Sequence, residues 1–361
     1  MDFASLPDLE DGDPIEAAQA LIASGRPQAA ARDLRARLEA GRGGLLARLT
    51  LVEALLASGD TQDALAEARE AVSLSPGVAV AVLALGEALL AADALPIAIA
   101  ELQRALRLEP GLTRARELTA LAWLKAGEAD KALENLEALE NPPAGMIAAC
   151  HAIKAAPRSD PGYVRHLFDQ FSVDYDERMI GPLGYAAPQI LFELANMVMP
   201  GQAGLNILDL GCGTGLAGAV FKPFAARLDG IDLSPAMIEK ARVRGIYDAL
   251  QVADLETALA AAGPPYDLIL AADTLVYLGD LAPVFEAVRR RLSPGGYFLF
   301  TVEQAQGTGF ELGPKRRWRH SETYLRNLAE KSGFSLSGFV AAAPRREANV
   351  PVEGFAVALT L

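Results

Sequence analysis

Apolar and polar positions divide the chain into two regimes. From residue 15 to 140, Ala, Leu and Glu recur at helical spacing, and the pattern repeats. Gly25, Gly59 and Gly127 sit on a grid of about 34 residues whose remaining point is Asp93. Ala30, Ala64, Ala98 and Ala132 share the grid, as do the pairs Ala71/Ala105 and Pro76/Pro110. This predicts paired helices in which small alanines allow close contact, the glycine closes the turn and the proline marks the exit. The breaker clusters Asn141–Gly145 and Ala155–Gly162 end the repeats. Beyond them, short apolar runs alternate with helix-compatible stretches. Strands are expected at Ile207–Leu210, Leu228–Asp232, just before Ala253, Tyr266–Asp273 and Tyr297–Glu303, the last after a turn at Ser293–Gly296. Two closing strands are expected at Ser335–Val340 and Gly354–Leu361, with Ala343–Pro351 as an exposed hairpin loop between them. Gly307–His320 reads as a loop, and Ser321–Gly333 as a helix with Ser321 as cap and Gly333 as stop.

The period is that of the tetratricopeptide repeat. Residues 1–145 resemble such an array, best over 45–112, where Leu51, Ala64, Ala71 and Pro76 recur as Leu85, Ala98, Ala105 and Pro110. The outer units are degenerate, giving about three to four repeats. The resemblance implies a concave docking surface for a peptide, a protein substrate or a second copy of the chain. The alternative is a spacer or an assembly platform. A linker is expected over 146–162, and a second domain over 163–361.

The second domain is organised around Ile207-Leu208-Asp209-Leu210-Gly211-Cys212-Gly213-Thr214-Gly215-Leu216-Ala217-Gly218, which reads as strand, tight turn and helix. Glycines there permit positive φ and let a ligand approach the backbone. The run also fits the dinucleotide fingerprint, so an NAD-dependent dehydrogenase is one reading. Asp209 argues against it, because its carboxylate is expected to face the ligand and repel a pyrophosphate. Asp232, ending the next strand, has the spacing of an acid that takes ribose hydroxyls.

Taken in order, these pieces resemble the class I S-adenosylmethionine-dependent methyltransferases over residues 160–361. The resemblance implies an α/β Rossmann-like domain with a mostly parallel sheet of about seven strands. It also implies that Asp209, Gly211, Cys212, Gly213 and Gly215 hold the methionine part of S-adenosylmethionine. Asp232 and Leu233 would meet the ribose, Met237 the adenine, and Asp254 with Leu255 its exocyclic amine. The segment ending at Asp273 would line the transfer pocket.

Other candidates follow from chemistry. Phe168, Phe171, Tyr175 and Tyr185 precede the sheet, and Tyr175 and Tyr185 are candidate pocket residues. Tyr277 could orient a nucleophile or remove its proton, and His320, ending the basic run Lys315–His320, is the best placed of three histidines for a general base. The Asp/Asn-Pro-Pro-aromatic tetrad of families that methylate exocyclic or amide nitrogens in nucleic acids and some proteins is absent after Asp273.

Composition narrows the partners. The net charge of −13 disfavours nucleic acid, and residues 1–160 hold 24 acids against 15 bases, so the array would favour a basic partner. Cys150 and Cys212 form neither a disulfide framework nor a metal motif. Glu87 and Asp93 interrupt the long apolar stretch Val78–Ala100, so no membrane span is expected. Met1–Ser5 lacks the features of a signal peptide, and a cytoplasmic protein is expected. The methyl acceptor, a protein or a small molecule, stays open, as does a scaffold that binds cofactor without catalysis.

Overall fold

The computed structural model describes residues 13–181, 183–313, 316–347 and 349–361. Met1–Ser5, read for a leader, and Lys315 of the basic run lie outside them. The chain divides into two compact units that part at Lys154 and Ala155.

Among the described residues the first unit is all helical: α1 (Pro14–Ala23), α2 (Pro27–Glu39), α3 (Leu45–Ser58), α4 (Thr61–Leu74), α5 (Ala79–Ala91), α6 (Leu95–Leu108), α7 (Thr113–Lys125), α8 (Ala129–Glu137) and α9 (Ala144–Ala155). Consecutive helices pack in pairs, α1 on α2 through α7 on α8, and each pair packs on the next. Gly25, Gly59, Asp93 and Gly127 have φ of 74°, 85°, 57° and 66°, so all four grid points take the left-handed turn that ends the first helix of a pair. Aspartate is one of the few side chains that tolerates it. Ala30, Ala64, Ala98 and Ala132 are fully buried. Small size matters elsewhere too: a Cβ on Gly86 of α5 would lie 2.7 Å from Leu102 Cγ of α6. Helix α9 packs Cys150 and Ile153 with Leu136, so much of the stretch expected as linker is helix.

The second unit begins with α10 (Pro161–Phe171), α11 (Tyr175–Ile180) and α12 (Ala187–Val198). The Rossmann-like part follows as β1 (Leu205–Leu210), α13 (Leu216–Phe221), β2 (Ala225–Asp232), α14 (Pro235–Arg244), β3 (Ala249–Val252), α15 (Leu255–Ala260), β4 (Tyr266–Ala271), α16 (Ala282–Arg291) and β5 (Leu292–Gln304). Then come β6 (Phe310–Leu312), β7 (Trp318–His320), α17 (Glu322–Lys331), β8 (Ser335–Ala342), β9 (Arg346–Glu347), β10 (Val350–Pro351) and β11 (Gly354–Thr360). The main path of the sheet is β3-β2-β1-β4-β5-β11-β8. It is parallel from β3 to β5, and β11 runs antiparallel to both β5 and β8.

Alternation along the strands feeds two cores. Leu208 and Leu210 of β1 join Phe285, Phe298 and Phe300 on one face, while Ile207 joins Leu191, Phe221 and Leu268 on the other. Each phenylalanine so buried contributes about 1.5–3 kcal/mol. Ser321 caps α17 by accepting from Tyr324 N at 3.1 Å, and Gly333 follows at φ 75°.

Two expectations need correction. The loop expected over 307–320 contains β6 and β7; β7 pairs in parallel with the end of β5 through Glu303 and Gln304, and gives the sheet nine strands. The segment 343–351, expected to be exposed, carries Arg345 with 1% of its side chain accessible. Among the described residues no helix is long and apolar enough to cross a membrane.

Candidate active site

The order β2-β1-β4 places a topological switch point at the carboxyl end of β1, where open α/β sheets bind ligands. One cavity lies there. Gly211, Cys212 and Gly213 line it from the turn after β1, Asp232 and Leu233 from the end of β2, Asp254 and Leu255 from the turn after β3, and Asp273 from the turn after β4. Tyr175, Tyr185 and Tyr277 line it as well.

The turn needs its glycines for different reasons. At Gly211, with φ 66°, a Cβ would fall 2.4 Å from Thr274 Oγ1, which donates to Leu210 O at 2.9 Å. At Gly213, with φ 54°, a Cβ would meet nothing closer than Tyr175 Cε1 at 4.0 Å. Glycine there leaves open a cradle that a side chain would fill. Asp232 accepts from Gly213 N and Ser234 N, both at 2.8 Å, so two amides fix its carboxylate at the rim. Burial raises its pKa to about 6. Burial also pushes the Cys212 thiol up, which keeps it protonated.

Four predicted residues stand away from the cavity wall. Asp209 shares the strand face of Ile207, so it is directed into the sheet's packing layer, where it is fully buried and accepts from Tyr247 Oη at 2.7 Å. Desolvation lifts its pKa to about 7. Gly215 serves packing: a Cβ would lie 3.0 Å from Tyr247 Cε2. Met237 is fully buried in α14. His320 is fully buried on β7; its Nε2 pairs with Gly279 O at 3.0 Å, its ring stacks on Tyr324, and burial lowers its pKa to about 4. An imidazole so enclosed reaches no ligand in the cavity.

Helices α10 and α11 supply the aromatic wall. Phe168 meets Tyr175 and Tyr277 edge-on, with centroids 6.1 and 5.5 Å apart. Asp176 of α11 pairs with both Thr214 and Arg244, and Asp169 of α10 accepts from Ser234 Oγ at 2.5 Å, which ties these helices to the glycine turn and to the head of α14. Tyr185 Oη donates to Ala272 O at 3.2 Å. Burial pushes the phenols of Tyr175, Tyr185 and Tyr277 up, so Tyr277 stays protonated and offers a hydrogen-bond donor, not a phenolate that removes a proton.

Several residues at the site were not singled out from the sequence. Arg158 lines the cavity and clamps Asp254 Oδ2 at 2.6 Å and Glu256 Oε2 at 2.9 Å. Arg345 joins Asp273 Oδ1 at 2.6 Å and also Glu303. Arg317, next to β7, reaches the cavity wall beside Tyr277. Arg317 had a signal, the basic run; Arg158 and Arg345 stand in breaker-rich segments that gave none.

The wall thus combines apolar side chains with acids held by amides or guanidinium groups on the β2–β3 side, and a phenol, an arginine and an acid on the β4–β5 side. A concave, mostly apolar wall with a few convergent polar groups is suited to a small organic ligand. Among the described residues no cluster of His, Cys, Asp or Glu is suited to a metal ion.

A family model described as a methyltransferase domain matches residues 208–298. The chain is similar to Methyltransferase-like protein 27 of Homo sapiens, with 36% identity over 92 residues, 25% of this chain and 37% of that protein. It is similar to a ubiquinone biosynthesis O-methyltransferase of Xylella fastidiosa, with 33% identity over 107 residues, 28% of this chain and 44% of the relative. It therefore spans less than half the length of these relatives. A Burkholderia thailandensis 1,6-didemethyltoxoflavin-N1-methyltransferase solved with S-adenosylhomocysteine is 18% identical, with a TM-score of 0.45 over 57% of this chain and 92% of that one. Within this chain, the similarity to a methyltransferase domain spans residues 208–298.

Proposed function

We propose that this chain is an S-adenosylmethionine-dependent methyltransferase acting on a small molecule. One observation carries the reading: Gly211, Gly213, Asp232, Leu233, Asp254, Leu255 and Asp273, far apart in sequence, border one cavity at the switch point of the sheet. The cofactor's residues fit. Gly213 leaves a cradle open to the cavity, and the amide-held carboxylate of Asp232 can still accept from two ribose hydroxyls. When bound, S-adenosylmethionine supplies an activated methyl group. The chain's residues position and enclose: Phe168, Tyr175 and Tyr185 wall the acceptor side and exclude water, which is most of what such a transfer needs from a protein. The Xylella relative, named for ubiquinone biosynthesis, supports a small acceptor over a protein one.

The first unit is read as a tetratricopeptide array, supported by the shared left-handed turns and buried alanines of its grid. Its role is docking, of a basic polypeptide or a second copy of the chain.

Titration calorimetry of the full-length protein with S-adenosylhomocysteine, beside NAD, tests the enzyme reading. Micromolar binding of the homocysteine compound alone is expected; binding of NAD alone would overturn it. Light scattering with and without residues 13–140 tests assembly through the array.

A further inference from the structure

The polar groups that line the cavity can be sorted by whether the protein already satisfies them. The acids are satisfied. Asp232 takes two backbone amides, Asp254 takes Glu256 N at 3.1 Å and Arg158 Nη2 at 2.6 Å, and Asp273 takes Arg345 Nη1 at 2.6 Å. What remains on the β4–β5 side is donor capacity. The hydroxyl of Tyr277, a residue 7% exposed, has no hydrogen-bond partner, and neither has Nη1 of Arg317. Both residues line the cavity, and the Arg317 guanidinium lies over the Tyr277 ring, 5.8 Å from its centroid.

Arg317 keeps only long ion pairs, without a hydrogen bond, because Arg345 has taken the close contacts of its acids. The nearest carboxylate oxygens, Asp273 Oδ2 and Glu303 Oε1, are both 3.7 Å from Arg317 Nη1, outside hydrogen-bond range, while Arg345 bonds directly to both residues. A cation and a phenol of the cavity wall therefore each keep an unused, buried donor, and burial keeps the phenol protonated. Two donors on separate residues suit the two oxygens of a carboxylate, and a charge-assisted bond is the stronger kind. A phosphate dianion fits less well: Arg158, the other cation on the wall, is held by Asp254 and Glu256. The same donors could receive the carboxylate of the cofactor's amino-acid tail. The acceptor is favoured because the glycine turn and Asp232 belong to β1 and β2, whereas Arg317 belongs to the β5–β7 side, across β4.

We propose that the methyl acceptor carries a carboxylate, received by Arg317 Nη1 and the Tyr277 hydroxyl, on an apolar body that packs against Phe168, Phe171 and Leu183. The inference rests on the methyltransferase reading and names the substrate class of the same cavity.

Calorimetry on the full-length protein saturated with S-adenosylhomocysteine compares phenylacetate with phenylacetamide, which has nearly the same shape and no charge. The wild type should prefer the acid by about 10-fold or more, and Arg317→Gln should cost the acid about 10- to 100-fold while leaving the amide within about 3-fold. Tyr277→Phe should cost the acid less, about 3- to 10-fold. Arg317→Lys keeps the charge and should retain part of the preference, and circular dichroism checks that each variant is folded. A wild type without preference for the acid overturns the proposal, as does an Arg317→Gln protein that keeps it. Loss of S-adenosylhomocysteine affinity in Arg317→Gln, with 5′-methylthioadenosine affinity retained, assigns the donors to the cofactor's tail and overturns it too. A wild type that binds no S-adenosylhomocysteine is a separate result, which removes the methyltransferase reading itself.

Discussion

Replacing Arg345 by methionine tests the buried charge cluster behind the cavity. The arginine side chain is 1% exposed and joins Asp273 and Glu303, whose side chains are 8% and 4% exposed. In Arg345→Met these acids lose their direct hydrogen bonds to a guanidinium and keep longer ion pairs, with Arg317 Nη1 at 3.7 Å from each and Arg319 Nε at 3.5 Å from Glu303 Oε2. Removing one partner of a buried pair costs about 3–5 kcal/mol, and solvent does not screen groups this enclosed. For a unit of this size the loss lowers the melting temperature by roughly 6–20 °C. The sign with pH follows from the acids. Burial already raises the Asp273 pKa while Arg345 pulls it down, so the substitution raises it further. An acid whose folded pKa is raised loses stability as pH climbs through that value. The deficit should be largest at pH 8 and shrink toward pH 5. The chain has two tryptophans, of which Trp318 lies in the cavity unit, so urea unfolding by fluorescence in a Trp123→Phe background reports that unit alone. Adding Asp273→Asn and Glu303→Gln should restore most of the loss. A deficit under about 1 kcal/mol at pH 8, or one independent of pH, would refute a buried ionic cluster.

Asp232 titrates near 6 in the folded protein, and ribose hydroxyls need its charged form, so S-adenosylhomocysteine affinity should be full above pH 7 and fall up to about tenfold per unit below 6. Calorimetry from pH 5 to 8 that shows a flat profile contradicts this assignment. His320 is held down to about 4 from 6.5, so the unfolded chain binds the extra proton between those values and stability falls as pH drops through that window. His320→Gln, which keeps a donor for Gly279 O, should remove a slope of up to about 1.4 kcal/mol per pH unit, seen as the difference between the two proteins' urea stabilities. Gly86→Val should cost the helical unit about 1–3 kcal/mol, because the new side chain overlaps Leu102. Trp123 fluorescence measures it, and a change under about 0.5 kcal/mol would mean that α5 and α6 shift apart at little cost.

Periodicity and turn chemistry carried much of this protein. The grid that begins at Gly25 located the left-handed turns, including the one at Asp93, because a helix end needs a residue that tolerates positive φ, and this is a local requirement. The glycine run after β1 and the acid ending β2 likewise located the cavity, since a strand that ends in such a turn exposes backbone to a ligand wherever it stands. Strand parity decided Asp209: one residue's alternation sends its carboxylate to Tyr247 and away from the cavity wall. Parity can be counted in the sequence, but which face holds the ligand cannot. Long-range pairing decided the rest. Trp318–His320 became a strand because the end of β5 offered it a partner, and that pairing buried His320 and carried Arg317 to the cavity. Arg345, in a turn with every local mark of exposure, is buried because Asp273 and Glu303, 72 and 42 residues away, meet there and need a cation. Local rules see one residue's neighbours in sequence; a buried charge is decided by the partners that folding brings to it.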